Sequence, residues 1–552
     1  AGGSPQIGAQ IQSLVSGERN RTYPLENYGD IEEALTFATA AMTSGSPVLA
    51  VTGYTFGASD VGKTVGVLGA GVVSADFEVL ANDGVLVGTI LSVSGGNATL
   101  SVNATNTVSG ASCLFGWPID TALTAAIAAC RADYAVDGVV GYIDFPAGKW
   151  LAIVPQPISS GVSFQGAGRD SSFIYIVKIV SAANNPVTAP WLQRLQSPAV
   201  AGLYDNINLR DFTLIGTFYA ATSAYGTDMK MLHISNTSNS TVQRIRTVDN
   251  PSTAIGYDES TNCLIADNII LNPGRLAAST VATGGPGGSG IGAAIGEYRD
   301  TSMVIRNNFI KGKFTSSGGP GRSGINIEAS TATLAPGTMY GGLVIVDNFI
   351  EGFYNGIVDS GAIGTIIRGN TVRNCTHAIK AGSNGITTGH VGRDTIISGN
   401  YISDLFAVGA FYSVGISVTT QNATKDTEGR CLVEGNVITS CIGGYGMQIY
   451  GEIGGTTYVL EQALVANNTI RDCSLSGIRV LGNVKGLVIE GNHISSNGRA
   501  LTAGNRAPIL LHSSVVWTDG RLVGNLYTDY QGSPTQDVNH SFDAAATVTN
   551  VI

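Results

Sequence analysis

The amino-acid sequence predicts an all-β chain wound for most of its length into a parallel solenoid, and three observations carry that expectation. A short apolar phrase built around asparagine recurs from Leu264 onward, as LIADNII, VIRNNFI, VIVDNFI, IIRGNTV, IISGNYI, LVEGNVI, LVANNTI, VIEGNHI and RLVGNLY. Its asparagines are Asn268, Asn308, Asn348, Asn370, Asn400, Asn436, Asn468, Asn492 and Asn525, separated by 40, 40, 22, 30, 36, 32, 24 and 33 residues, so a coil of 22 to 24 residues is lengthened by insertions. A second phrase, usually Gly-Ile, precedes each: AIGYDES, AIGEYRD, GINIEAS, GIVDSGA, AIKAGSN, GISVTTQ, GMQIYGE, GIRVLGN and PILLHSS. Finally, the 552 residues are rich in glycine (73) and small side chains, with only 13% charged and 7% aromatic, a palette for strands and turns more than for helices. Short strands at such a period stack coil upon coil. Asparagine suits the turn because it tolerates the left-handed conformation, and because its amide can bond to the same amide one coil on, making a ladder.

The elements follow in order. Residues 1–46 read as an N-terminal segment with a helix over 30–43, DIEEALTFATAAMT, capped by Asp30 with Glu33 at the third position. The first residues, AGGSPQIGAQ, lack an initiator methionine and a leader pattern and read as a processed or engineered start. Residues 47–118 alternate apolar positions with Gly-Asn turns and read as a small β domain. Residues 119–135, within DTALTAAIAACRADYA, form an amphipathic helix with Asp or Thr as N-cap, placed to close the open end of a solenoid over 136–530. A C-terminal segment, 531–552, follows. Ile255, Ile295 and Ile357 each lie 13 residues before their asparagine, which sets the expected register of those coils.

Several functions are disfavoured outright. A net charge of −10 without a basic run argues against nucleic-acid binding, and no run of about 18 apolar residues is present to cross a membrane as a helix. The seven cysteines show no CxxC and no histidine at ligand spacing, so neither a disulfide framework nor a zinc site is expected. Cys375, Cys441 and Cys473 fall five residues after a ladder asparagine, where other coils carry Phe353 and Leu405; they read as buried thiols filling aliphatic positions, in a protein assembled in a reducing compartment. No metal and no cofactor is expected.

PAGKW at Pro146–Trp150, GVSFQGAGRDSS at Gly161–Ser172 and the recurring Gly-Asn turns resemble the pectate-lyase-like superfamily of right-handed parallel β-helix proteins. More narrowly, the chain resembles bacteriophage tailspikes that depolymerise capsule or O-antigen, and DVGKTVGVLGAG at Asp60–Gly71 looks like a small β domain preceding such helices in phage proteins. The resemblance implies a right-handed parallel β-helix with an N-terminal capping helix, a bacterial surface polysaccharide as partner, and a homotrimer in the phage tail, assembled in the host cytoplasm and acting at the host surface. The calcium-binding aspartate cluster and catalytic arginine pattern of the pectate lyases proper are not recognisable.

Counting the Ile of each Gly-Ile phrase as zero, the outward column three residues on reads Asp258, Tyr298, Glu328, Ser360, Gly382, Thr419, Tyr450, Leu481 and His512. Two residues on, a mostly apolar column contains Glu297 and Asp359, carboxylates that must be exposed by a kink, paired or kept protonated. With Glu328 they form an acidic strip, and Glu297, Glu328 and Asp359 are the candidate acid and base of a glycoside hydrolase, with Asp258, Tyr298, Arg299, Lys380 and Tyr450 as substrate-binding candidates. Elimination from a uronic acid, with Lys380, Arg299, Tyr298 and Tyr450 as its candidates, is the alternative chemistry, and a non-catalytic glycan-binding adhesin the alternative class. Trp517, Tyr298, Tyr354 and Tyr450 are candidates to stack on sugar rings.

Overall fold

The computed structural model describes residues 21–549 apart from 73–83, 158, 181–190, 194–203, 222–229, 259, 276–287, 296–301, 320, 330–341, 361, 384–393, 421–429, 452–458, 499–506, 529–540 and 543–546. The chain is a parallel β-helix whose coils contribute strands to three faces: one before the ladder asparagine, one after it, and one carrying the Gly-Ile phrase. Among the described residues the pre-asparagine face is a 14-stranded parallel sheet from Arg21–Pro24 to Arg521–Val523. The other two faces merge into a 24-stranded sheet, because Phe349–Ser360 and Thr371–Ser383 run unbroken around the corner between them.

The corner between the first two faces is built by the asparagines. Nδ2 of each donates to Oδ1 of the next at 2.8 to 3.0 Å, from Asn268 through Asn525. The other amide hydrogen goes to a carbonyl of the preceding coil, as from Asn400 to Ile367 at 3.0 Å, and each Oδ1 also accepts the backbone N–H of its predecessor, as Asn436 does from Asn400 at 3.0 Å. The ladder is therefore present, with one difference from expectation. The left-handed residue is the one before each asparagine, among them Asp267 (φ 59°), Asn307 (53°), Asp347 (56°) and Gly399 (61°). That residue is at least partly exposed and carries the tight turn, which leaves the ladder asparagine free to aim its amide inward.

Inside, Ile265, Ile305, Ile345, Ile367, Ile397, Val433, Val465 and Ile489 form a fully buried column on the pre-asparagine face, and similar columns line the other two. On the Gly-Ile face the glycine also faces inward: a Cβ on Gly356 would sit 2.4 Å from Val372 Cγ1 and 2.5 Å from the Ala378 carbonyl oxygen. Two successive inward residues break the strand alternation, so the residue before the glycine turns outward.

The register of one coil differs from the expected one. Ile255 pairs with Ile291, which pairs with Ile325 and then Ile357, so Gly290-Ile291 is the Gly-Ile phrase of its coil and Ile295 lies four residues past it. Glu297 and Tyr298 therefore do not stand at the two- and three-residue positions, which belong to Ala293 and Ala294.

At the N-terminal end, the expected helix over 30–43 is instead the strand Leu35–Met42, paired antiparallel with Val108–Gly116 in a closed six-stranded barrel. Alanine-rich sequence permits a helix, but barrel closure supplies ladder bonds and stacks Phe37 on Phe115 at 5.8 Å, and tertiary pairing overrides propensity. The small β domain thus begins at Leu35 instead of residue 47. The helix is Asp120–Asp137, burying Leu123, Ala126, Ile127 and Cys130 in the solenoid's core. Its N-cap is Ile119 without a side-chain cap, because the Asp120 carboxylate is committed to the backbone N–H groups of Ile153 and Val154, both at 2.9 Å. All seven cysteines are buried free thiols, and burial pushes Cys375 and Cys431 up to about 12. In the C-terminal segment, Ser541–Phe542 and Thr547–Thr549 still add strands to the coils before them.

Replacing Asn400 by Ala strands the Asn370 amide, the Ile367 carbonyl and the Asn436 Oδ1 in the core, and should lower stability by about 3 kcal/mol in chemical denaturation. Gly399→Asn should be close to neutral, since a Cβ there meets nothing within 4 Å and Asn accepts the left-handed turn.

Candidate functional site

The Gly-Ile face gathers charged and aromatic side chains. One residue past each core Ile the outward column reads His233, Gly256, Gly292, Asn326, Val358, Lys380, Ser417, Gln448 and Arg479. Two residues before it stand Asn355, His377, Val414 and Tyr445.

Around Lys380 these columns gather rings and cations. His377 Nδ1 lies 3.2 Å from Asn355 Oδ1, and the imidazole makes a T-shaped contact with Tyr354 at 5.1 Å between centroids. Tyr354 in turn meets Phe314 at 5.7 Å and Phe411 at 6.3 Å, and Phe314 stacks on Phe406 at 6.2 Å. Phe406 and Phe411 belong to the loop after Tyr401–Ser403, which turns back on itself through the Val408–Phe411 bridge and leaves Phe411 and Tyr412 exposed. Burial, with the Lys380 charge adding to it, pushes the His377 imidazole down to about 3, so it is neutral at working pH. Burial and then the nearby Arg322 guanidinium bring Lys380 down to about 8. Burial also raises the Tyr354 phenol, against the opposing charge of Arg322. Two coils along, Tyr445 packs on Tyr412 at 5.5 Å and carries over its ring, at 4.8 Å, the guanidinium of Arg479 from the coil after it. Arg479 Nε is buried without a hydrogen-bond acceptor among the described residues.

A second charged cluster occupies the same face nearer the N-terminus. Asp258 Oδ2 accepts from Lys230 and lies 2.7 Å from His233 Nε2, with all three side chains largely buried. Gly256 makes it possible: a Cβ there would lie 2.1 Å from Lys230 Cδ, so the lysine stem crosses the strand over the bare glycine. Burial pushes the Asp258 carboxyl up, but the Lys230 charge and the His233 hydrogen bond outweigh it and hold the group well below the ordinary carboxylate range.

The acidic strip does not assemble as the sequence suggested. Glu297, Tyr298 and Arg299 lie outside the described residues. Glu328 and Asp359 come from adjacent coils, yet Glu328 is exposed and accepts from Asn326 Nδ2 at 2.6 Å, while Asp359 stands in the inward column between Ile327 and Ala381 and is 1% exposed. Asp359 Oδ1 accepts the Ala362 N–H at 3.0 Å, which ties down the turn that ends the strand. The two carboxylates thus face opposite sides of one sheet. Tyr450 is half-buried, in register with Thr419 and Leu481, and Trp517 is fully buried in the core and unable to stack on a sugar. Sequence reasoning found Lys380 and Tyr354 but missed Arg322, His377, Tyr412, Tyr445 and Arg479; Lys380 and Arg479 share one column, a signal visible in AIKAG and GIRVL. Among the described residues no group of three or more His, Cys, Asp or Glu side chains is placed to hold a metal ion.

No protein-family model matches the sequence, and no curated protein matches it. Solved structures do. The tailspike protein of Escherichia coli bacteriophage HK620 in complex with pentasaccharide is 13% identical, with a TM-score of 0.51 over 75% of each chain. The catalytic domain of a GH87 alpha-1,3-glucanase in complex with tetrasaccharides is 14% identical, with a TM-score of 0.50 over 90% of this chain and 91% of that one. The likeness is one of fold, the parallel β-helix.

Because the folded-state pKa of Asp258 is depressed, its ion pairs contribute fully above the unfolded carboxyl range, near pH 4, and the contribution fades as pH falls below it. Asp258→Asn should cost about 3 kcal/mol at neutral pH and flatten the acid limb of the stability profile, measured by urea unfolding across that range.

Proposed function

We propose that the protein is a tailspike-type polysaccharide depolymerase that lays an anionic bacterial surface glycan along its Gly-Ile face and cleaves it by β-elimination. The observation that carries this reading is the convergence of Lys380, Arg322, His377 and Tyr354 within a wall of aromatic rings on adjacent coils. Aromatic faces suit sugar rings, and unpaired cations suit uronate carboxylates. A hydrolase reading through Glu328 and Asp359 is disfavoured because the two point to opposite sides of their sheet and cannot flank one glycosidic bond. Both neighbours in fold are complexed with oligosaccharides, which supports a glycan as the ligand of this helix as well.

In this mechanism Arg322 holds the uronate carboxylate and makes the adjacent C5 proton more acidic. Lys380, as the neutral amine, removes that proton; the electron pair forms the C4–C5 double bond and the C4–O bond breaks. Tyr354, kept protonated by burial, gives its proton to the departing oxygen. His377 stays neutral and holds its place through Asn355. The finer setting follows the same reading: a homotrimer in a phage tail, with its helices side by side, meeting capsule or O-antigen at the host surface.

Digests of host polysaccharides should yield unsaturated uronyl ends, read by their ultraviolet absorbance. Saturated products would return the mechanism to hydrolysis, and no products from any host glycan would make the protein an adhesin. Since Lys380 must be deprotonated, kcat/KM should rise about tenfold per pH unit below about 8 and level off above it, and Lys380→Ala should lower turnover by roughly a hundredfold or more with the fold intact. Arg479 lies three coils from Lys380, about 14 Å at ~4.8 Å per coil. Arg479→Ala should therefore raise KM for long chains about tenfold while leaving short oligosaccharides unchanged.

A further inference from the structure

From Lys380 onward the outward column of the Gly-Ile face reads Lys380, Ser417, Gln448 and Arg479, one residue per coil. The columns on either side, from His377 to Tyr445 and from Gly382 to Leu481, add no carboxylate and no further cation over these coils. A ligand laid along the helix therefore meets a basic group, two neutral polar groups and a second basic group. Neither Lys380 nor Arg479 has a carboxylate partner among the described residues, whereas Lys230, Arg244, Arg246 and Arg373 each meet one. Arg479 is held in place without being neutralised: its guanidinium lies over the Tyr445 ring at 4.8 Å, and its buried Nε has no acceptor among the described residues. Ser417 and Gln448 form no side-chain hydrogen bond among the described residues, so a hydroxyl and a whole amide are left to a ligand. Tyr412 spans the interval. The His377 imidazole hydrogen-bonds its backbone, its ring packs on Tyr445 at 5.5 Å, and it is 53% exposed.

We infer that the glycan of this face is a heteropolysaccharide whose acidic sugars are separated by two neutral ones, and not an unbroken polyuronate. An extended glycan meets a new coil about every 4.8 Å, close to the advance of one sugar, so the sugars between an acid at Lys380 and an acid at Arg479 lie over Ser417 and Gln448. A polyuronate would set carboxylates over those two coils as well. Each would lose water without gaining a cation, against a hydroxyl and an amide that repay only part of the loss. Neutral sugars suit the same positions, because their hydroxyls donate and accept as the Ser417 hydroxyl and the Gln448 amide do. Their C–H faces also suit the exposed Tyr412 ring. The two ends of the pattern act differently. Beside Arg322 and Lys380 the acid belongs to the sugar that reacts, while the Arg479 guanidinium, which keeps its charge at any working pH, holds the next acid and so sets which linkage lies at Lys380. The inference rests on the anionic-glycan reading of the proposed function and adds to it the spacing of the acids.

Limit digests of a cleaved host polysaccharide should contain backbone oligosaccharides of three sugars and multiples of three, with one uronic acid per three sugars by mass spectrometry, unsaturated or not. Polygalacturonate should be cut with a kcat/KM about a hundredfold lower than the host glycan. Titrated calorimetrically, the six-sugar product should bind Arg479→Gln about tenfold more weakly than the wild type, and the three-sugar product equally well. Gln448→Lys places a cation where the pattern has none, and should bind hexagalacturonate about tenfold more tightly than the wild type. Products made only of uronic acid, equal rates on polygalacturonate and the host glycan, or unchanged hexagalacturonate binding by Gln448→Lys keep the acidic-glycan reading and overturn the spacing. A six-sugar product that binds Arg479→Gln as it binds the wild type overturns the placing of the second acid. Acid-free products, or no binding and no cleavage of any acidic host glycan, overturn the proposed function and the inference with it.

Discussion

The asparagine ladder is the constraint on which the rest of this molecule depends. Each amide has two hydrogens and an oxygen with two lone pairs, and within the stack all four are used: Asn400 donates to the next asparagine and to a carbonyl of the preceding coil, and accepts from the amide and the backbone N–H of the asparagine before it. In a dry core a half-used amide would be costly, so an asparagine here is stable only if its neighbours above and below are asparagines too. That mutual requirement fixes the register of the strands on both sides of the corner. A slip by one residue would put the buried Asn370 amide against Gly399 or Tyr401 and turn the apolar columns to solvent.

Because one corner is rigid, the other two can vary. The insertions that stretch a coil from 22 to 40 residues open between the post-asparagine and Gly-Ile strands, or after the Gly-Ile strand. They flank the one face whose outward columns hold Lys380, His377, Tyr445 and Arg479. The loop bearing Phe406, Phe411 and Tyr412 is such an insertion, and it is what takes water away from His377 and Lys380. The same geometry leaves the insertion-free side smooth, so a single buried motif separates a variable, chemically dressed face from a plain one.

How much of this was legible in the sequence follows from how local each signal is. The ladder was readable, though not which residue of its turn is left-handed, since a buried amide between apolar residues has few meanings and repeats nine times. The register at Ile295 was not, because AIG at 294–296 imitates the Gly-Ile phrase and only the pairing of Ile291 with Ile255 and Ile325 decides between them. The strand Leu35–Met42 was hidden because its partner, Val108–Gly116, lies some seventy residues away and the local composition suits a helix. Asp359 was recognised as anomalous but not resolved, since its bond to Ala362 depends on a turn that no spacing announces. His377 and Tyr445 escaped because the small inward residue after each, Ala378 and Gly446, breaks the alternation used to assign faces; a Cβ on Gly446 would stand 2.3 Å from Ile470 Cγ2.

The electrostatics of the Lys380 neighbourhood set a further condition on the proposed chemistry. Burial has already removed the charge of His377 and weakened that of Lys380, which leaves Arg322 as the fixed cation of the cluster. An anionic ligand placed against Lys380 would favour the ammonium and raise its pKa again, and a protonated lysine is no base. The same anion placed against Arg322 keeps its partner whatever the pH, because a guanidinium does not titrate in this range. The two cations therefore cannot exchange roles: the carboxylate belongs on Arg322 and the proton transfer on Lys380. A substitution of Arg322 by lysine would blur that division, giving two amines that compete for one carboxylate, and would shift the base limb of the pH profile upward instead of simply weakening binding.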